Sequence, residues 1–190
     1  MRELQDIYVI DDLISADHAD YLEMHYSGHE IDWFFQKDIT YNQSDERHDN
    51  LKSHNIGFAN LIYPRENGAS PLYHTMAPIM YNALSALQLK PIQLLRARAF
   101  LQLPIAGQNN EINHPHRDLP ISHTVILYYL TDADGDTIIY NETEESEKYT
   151  VKDKIQPKKG RCVIFNGKHF HSSSKPTSNI RATLNINVII

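Results

Sequence analysis

The segment NHPHRDLP, residues 113–120, sets His114, His116 and Asp118 within five positions. Imidazole nitrogen and carboxylate oxygen suit first-row divalent metals. Two imidazoles and one carboxylate on one side of an ion leave its other positions open, as in non-haem iron oxygenases. A His-x-Asp triplet alone means little, since about one is expected by chance in a chain of this composition. The chain carries its own comparison, because His18-Ala19-Asp20 also fits. That triplet lies where the apolar spacing is helical, so its two side chains point about 200° apart and cannot share an ion. His116-Arg117-Asp118 instead precedes a β-branched run, and in extended backbone positions i and i+2 project from one face. His114 is the near rival of His116, but it stands four residues from Asp118 and forms no compact chelate with it. It is expected to line the entrance instead.

A third ligand must come from elsewhere, and FNGKHFHSSSKP (165–176) offers His169 and His171. An open iron site also needs a means of activating O2. A 2-oxo dicarboxylate that chelates the metal leaves its far carboxylate to pair with a basic residue. Arg181 stands ten residues after His171 and opens the last apolar-polar run. His74 and His123 read as ordinary packed or surface residues.

These groups need elements to position them. Ser15 as N-cap, with Ala19, Leu22 and Tyr26 at helical spacing, predicts a helix over 15–26. Leu72, Met76, Ile79, Met80, Ala83, Leu84 and Leu87 follow a 3.6-residue period and predict a second helix over 71–89. The polar stretch 36–55 reads as a loop whose length suits a lid. After Pro91 the pattern changes to short strands: 95–103, HTVILYYL (123–130), 137–140, RCVIF (161–165) and RATLNINVII (181–190). In the first of these, Leu95, Ala97, Ala99, Leu101 and Leu103 alternate with Arg96, Arg98, Phe100 and Gln102. Ala99, Leu101 and Leu127 are expected to wall a pocket. In the last strand, Arg181, Thr183, Asn185 and Asn187 share a face that reads as a ligand-lined interior. The acidic run 141–154 reads as a solvated loop. Two helices followed by five or more strands, with no helix between them, predict a sandwich or jelly roll with helices packed on one side. One domain spanning 1–190 is expected, with 1–92 as helical support and loops and 93–190 as the jelly-roll core carrying the metal site.

From about residue 94 to 190, roughly half the chain, an ordered series resembles the 2-oxoglutarate- and Fe(II)-dependent dioxygenases, nearest their prolyl-4-hydroxylase-like branch. HRD (116–118) comes first. HTVILYYLTDADGDT is similar to the family's hydrophobic strand, Tyr-Leu and Gly-x-Thr turn. PKKGRCVIFNGKHFH resembles its Lys-Gly, apolar strand, Phe and distal His, and Arg181 in RATLNINV ends the series. The resemblance implies a mainly β fold, a double-stranded β-helix (jelly roll) with N-terminal helices packed outside. It also implies Fe(II) on His116, Asp118 and His171, with His171 preferred to His169 by its interval to Arg181. Arg181 would bind the distal carboxylate of 2-oxoglutarate, Thr183 would add a hydroxyl and Tyr129 a phenol, with Asn185, Asn187 and Leu127 toward the substrate. The implied reaction uses O2, with ascorbate as an auxiliary reductant, and hydroxylates a C–H bond of peptidyl proline or another amino-acid-like substrate, releasing succinate and CO2. Two departures stand out. Leu103-Pro104 replaces a Tyr-Pro that relatives use toward the cosubstrate, and Gly135-Asp136 replaces a Gly-Gly turn, a change expected to affect only loop shape.

Two rival readings differ in class. A jelly-roll module could hold the metal without turnover. Nucleic-acid demethylases share the iron centre, but they carry a second arginine beyond the first, whereas ATLNINVII follows the one here. A formal net charge of −6 provides no basic footprint for a phosphate backbone. At 41% hydrophobic and 22% charged, the 190 residues read as a soluble globular domain; the resemblance implies a small-molecule or peptide substrate. One cysteine, Cys162, excludes a disulfide framework and a cysteine zinc site. The opening MRELQDIYVIDD turns acidic before any signal-like apolar run, and no stretch approaches a membrane span. A cytoplasmic setting is therefore expected.

Overall fold

The Ser15 side chain accepts a hydrogen bond from the His18 backbone N–H (3.3 Å) and starts helix α1, Ala16–Ser27. This is the cap that the sequence predicts. The second helix, α2, runs Tyr73–Ala86. The computed structural model describes residues 3–39, 55–105, 107, 109 and 111–190, so most of the expected loop 36–55 lies outside the described residues.

Ten strands accompany the helices among the described residues. In chain order they are β1 (Tyr8–Ile10), β2 (Phe34–Gln36), β3 (Gly57–Tyr63), β4 (Gln93–Gln102) and β5 (Thr124–Tyr129). Then follow β6 (Thr137–Tyr140), β7 (Val151–Ile155), β8 (Cys162–Asn166), β9 (His171–Ser173) and β10 (Arg181–Ile189). They form a seven-stranded sheet, ordered β1-β8-β5-β10-β4-β3-β2, and a three-stranded sheet, ordered β7-β6-β9. Every pairing between them is antiparallel.

The large sheet has two different faces. Outward, Ala97, Ala99, Ile126, Tyr128, Leu184 and Ile186 pack with Leu22 and Tyr26 of α1 and Met76, Ile79 and Leu84 of α2. The helices are thus held by burial of their apolar stripes, and the Tyr26 hydroxyl meets Thr75 Oγ1 across them at 3.0 Å. Inward, Val125, Leu127, Tyr129, Val163 and Phe165 meet Ile139 and Ile155 of the small sheet. The result is a jelly roll with helices on its outside. No helix among the described residues is long and apolar enough to cross a membrane.

The structure differs from the sequence reading in three places. Residues 1–92 hold strands as well as helices and loops, because β1, β2 and β3 extend the large sheet at both ends. Each is short or rich in small and polar residues, which weakens its strand signal. The run 141–154 is not all loop. Val151–Ile155 forms an edge strand whose Lys152, Asp153 and Lys154 mask its alternation, charges of the kind that guard sheet edges against further pairing. Ala99 and Leu101 do not wall a pocket; both pack with the helix-side core, because strand parity places them opposite Arg98 and Phe100.

Candidate metal centre

His116 and His171 are brought together by main chain. Each N–H donates to the other's carbonyl at 2.9 Å, an isolated antiparallel bridge that continues β9. Their rings lie 4.5 Å apart, centroid to centroid. In each ring Nδ1 faces a backbone carbonyl two residues back, His114 O at 3.4 Å and His169 O at 3.3 Å. That assigns the proton to Nδ1 and turns the Nε2 lone pair inward. His171 Nε2 is buried, has no hydrogen-bond partner and lies 3.7 Å from Asp118 Oδ2. One ligand atom from each of His116, Asp118 and His171 falls within 4.8 Å of the other two.

Asp118 is held from both sides. Its Oδ1 accepts from Arg96 Nη2 (2.9 Å) and Arg98 Nη2 (3.3 Å), and its Oδ2 from Asn185 Nδ2 (3.0 Å) and Asn187 Nδ2 (2.9 Å). The register explains this, since Asn185 pairs with Arg98 and Asn187 with Arg96 across β10 and β4. Burial works to raise the Asp118 carboxyl, but His171, Arg98 and Arg96 outweigh it and hold the group well below the usual carboxylate range. Burial, seconded by His171, pushes His116 down to about 3, and burial also lowers His171. At neutral pH the cluster therefore presents two neutral imidazoles and one carboxylate anion. An orphaned, inward-facing imidazole nitrogen beside a fixed anion fits a divalent metal.

Arg181, 5% exposed, lies in the same cleft. Its Nε donates to Gly135 O (2.8 Å), Nη1 to Gln102 Oε1 (3.1 Å) and Nη2 to Thr137 Oγ1 (2.8 Å). A guanidinium has five N–H donors, so two remain for a ligand. Gly135 is demanded here by close approach, because a Cβ would meet Ser174 O at 2.6 Å and Arg181 Cδ at 3.1 Å. The Gly135-Asp136 turn therefore shapes the arginine site as well as the loop.

The cleft is partly open to solvent. Thr183, Asn185 and Leu127 line it, together with Phe165, Phe100 and Arg98. Two other expected site residues sit behind its wall. Tyr129 is buried and donates its hydroxyl to Thr137 Oγ1 at 2.7 Å, beneath the Arg181 guanidinium. Asn187 is fully buried and contacts Asp118 and Arg96. His114 is exposed and His169 faces Lys152 Nζ at 3.2 Å, so neither joins the cluster. His74 is exposed on α2, and His123 is buried with Nδ1 on Ile121 O. Asp20 pairs with Lys159 on the surface. Sequence reasoning missed Arg96, Arg98, Gln102 and Thr137 as site residues. The signal was the Arg-x-Arg face of β4, which pairs in register with the Asn-x-Asn face of β10.

No family model and no curated protein matches the chain. Solved structures do. A viral collagen prolyl hydroxylase from Paramecium Bursaria Chlorella virus-1, solved as its 2-oxoglutarate complex, is 13% identical with a TM-score of 0.55, over 97% of this chain and 96% of that one. A Pseudomonas putida prolyl-4-hydroxylase is 13% identical with a TM-score of 0.60, over 97% and 92%. The α-ketoglutarate-dependent non-haem epimerase SnoN of nogalamycin biosynthesis is 12% identical with a TM-score of 0.63, over 96% and 78%. The chain thus has the fold of the 2-oxoglutarate-dependent iron oxygenases that its sequence resembles.

Proposed function

We propose that this protein is a 2-oxoglutarate- and Fe(II)-dependent oxygenase that hydroxylates a C–H bond of an amino-acid-like or peptide substrate. The observation that carries the reading is the convergence of His116, Asp118 and the orphaned His171 Nε2 in one cleft with Arg181. His116, Asp118 and His171 would hold Fe(II). Of the two Asp118 oxygens, Oδ2 is the one that lies toward His171 Nε2, at 3.7 Å. Arg181 would take the distal carboxylate of 2-oxoglutarate on its two remaining N–H groups, with the Thr183 hydroxyl beside it and Tyr129 supporting it from behind. When bound, metal and cosubstrate supply with O2 the oxidising power to break a C–H bond, succinate and CO2 being released.

The chain's own residues do the rest. The paired main-chain bonds of His116 and His171 fix the spacing of two ligands before any ion arrives. Arg96, Arg98, Asn185 and Asn187 keep Asp118 ionised and aimed. Val125, Leu127 and Phe165 form an apolar wall that excludes water from the reacting position.

The test is succinate formation from 2-oxoglutarate with Fe(II) and ascorbate. Turnover in the wild type and in Asp20→Ala, but none in Asp118→Ala, is expected. Absence of succinate in the wild type, with metal bound, would instead identify a jelly-roll module that holds its ion without turnover.

A further inference from the structure

We infer, building on the proposed function, that the substrate carries an anionic group, a carboxylate or a phosphate, and that Arg98 receives it. Arg96 spends three bonds inside the protein, from Nε to Asn187 Oδ1 (3.2 Å) and from Nη2 to both Asp118 O (2.8 Å) and Asp118 Oδ1 (2.9 Å). Among the described residues, Arg98 makes one hydrogen bond, the longer one from Nη2 to the same Oδ1, at 3.3 Å. Its Nε is buried without a partner among those residues, and its guanidinium lines the cleft. A buried donor left unmade is costly, and a guanidinium fork matches a two-oxygen anion. The plane of that fork is fixed from below, 4.5 Å from the centroid of the Phe100 ring.

The charge inventory points the same way. Among the described residues, Arg96 and Arg98 pair with one carboxylate, Asp118, and Arg181 lines the same cleft. Asp136, the carboxylate near Arg181, is already paired with Lys154 at 3.0 Å. The three arginines thus exceed Asp118 by two positive charges. A divalent metal and a dianionic cosubstrate cancel each other and leave that excess in place. Uncompensated charge on partly buried groups is unfavourable, and a substrate anion against Arg98 removes part of it.

The test follows the Arg98 Nε–H resonance by ¹H–¹⁵N NMR on the whole chain, with the signal assigned from Arg98→Lys. Sodium acetate, inorganic phosphate and neutral acetamide are titrated in, first with Zn(II) and N-oxalylglycine bound and then without either. A saturable shift with acetate, phosphate or both, and none with acetamide, is expected; which anion binds tells carboxylate from phosphate. Arg98→Gln should weaken that anion's binding by about tenfold or more at saturating Zn(II), while Arg98→Lys should retain most of it. No anion-dependent shift in either state, or equal binding by Arg98→Gln, would overturn the inference. Zn(II) affinity is measured on the same samples, so failure of the metal reading shows separately.

Discussion

Arg181 Nη2 donates to Thr137 Oγ1 over 2.8 Å, joining the last strand of the large sheet to the first strand of the small one. The same hydroxyl oxygen accepts from Tyr129, so the guanidinium is locked between the sheets before any ligand arrives. Arg181→Gln should weaken 2-oxoglutarate binding by roughly 10- to 100-fold, the worth of a lost charge-assisted pair. Mn(II) binding should be little changed. Calorimetric titration of the Mn(II)-loaded protein checks both, and a variant that binds the cosubstrate normally would refute the role.

Gly135 offers a subtler perturbation of the same group. An added methyl must displace Ser174 O or the Arg181 side chain. Gly135→Ala should cost about 1–3 kcal/mol of stability, as overpacking does. It should also weaken 2-oxoglutarate binding, with the His-Asp-His cluster left intact. Thermal melts and the same titration read these effects separately.

Asp118→Ala removes one member of the cluster and leaves Arg96 and Arg98 facing each other without an anion between them. Divalent metal affinity should fall by more than about 100-fold, beyond the range of outer-sphere changes. Asp20→Ala, in the helical His-x-Asp, removes one surface ion pair and should leave metal affinity unchanged. Equal losses in the two variants would refute the ligand assignment.

Acid should destabilise the metal-free protein in a defined window. Burial holds His116, His123 and His171 below their ordinary value of 6.5, His116 at about 3. Below pH 6.5 the unfolded chain takes up protons that the folded chain refuses, so stability falls as pH falls, by up to about 1.4 kcal/mol per unit for each group. Asp11 and Asp134, held at about 2 by Arg161 and Lys158 and by Thr177 and Ser178, add a second loss below pH 3.8. Melting temperatures from pH 7.5 to 5 should decline steadily; a flat profile would show that these imidazoles are not kept neutral.

The helices can be tested as a platform. Leu84 of α2 is fully buried against the large sheet. Leu84→Ala should lower the free energy of unfolding by about 2–5 kcal/mol. Urea denaturation gives that number, and metal binding by the folded fraction should persist, since Leu84 lies on the face of the sheet opposite the cleft.

Much of this arrangement was legible in the residues. Helical spacing gave α1 and α2, and alternation gave β4, β5 and β10 with the polar face of β10 correctly turned inward. Alternation tells which residues share a face but not which apolar layer that face meets, so Ala99 and Leu101 were assigned to the cleft and belong to the helices. The same ambiguity hid Arg96 and Arg98, since an Arg-x-Arg strand face is usually solvated. Gln102 and Thr137 became site residues only through register and through the contact between sheets, neither of which a single strand's pattern contains.

The reciprocal main-chain bonds between His116 and His171 have a longer consequence. A contact written in peptide groups survives any side-chain replacement that keeps the backbone path. The spacing of two candidate ligands is therefore insulated from mutation, and the walls around them are free to vary. Such a division suits a fold that solved structures share with this chain at 12–15% identity. What these chains share is the path of the backbone.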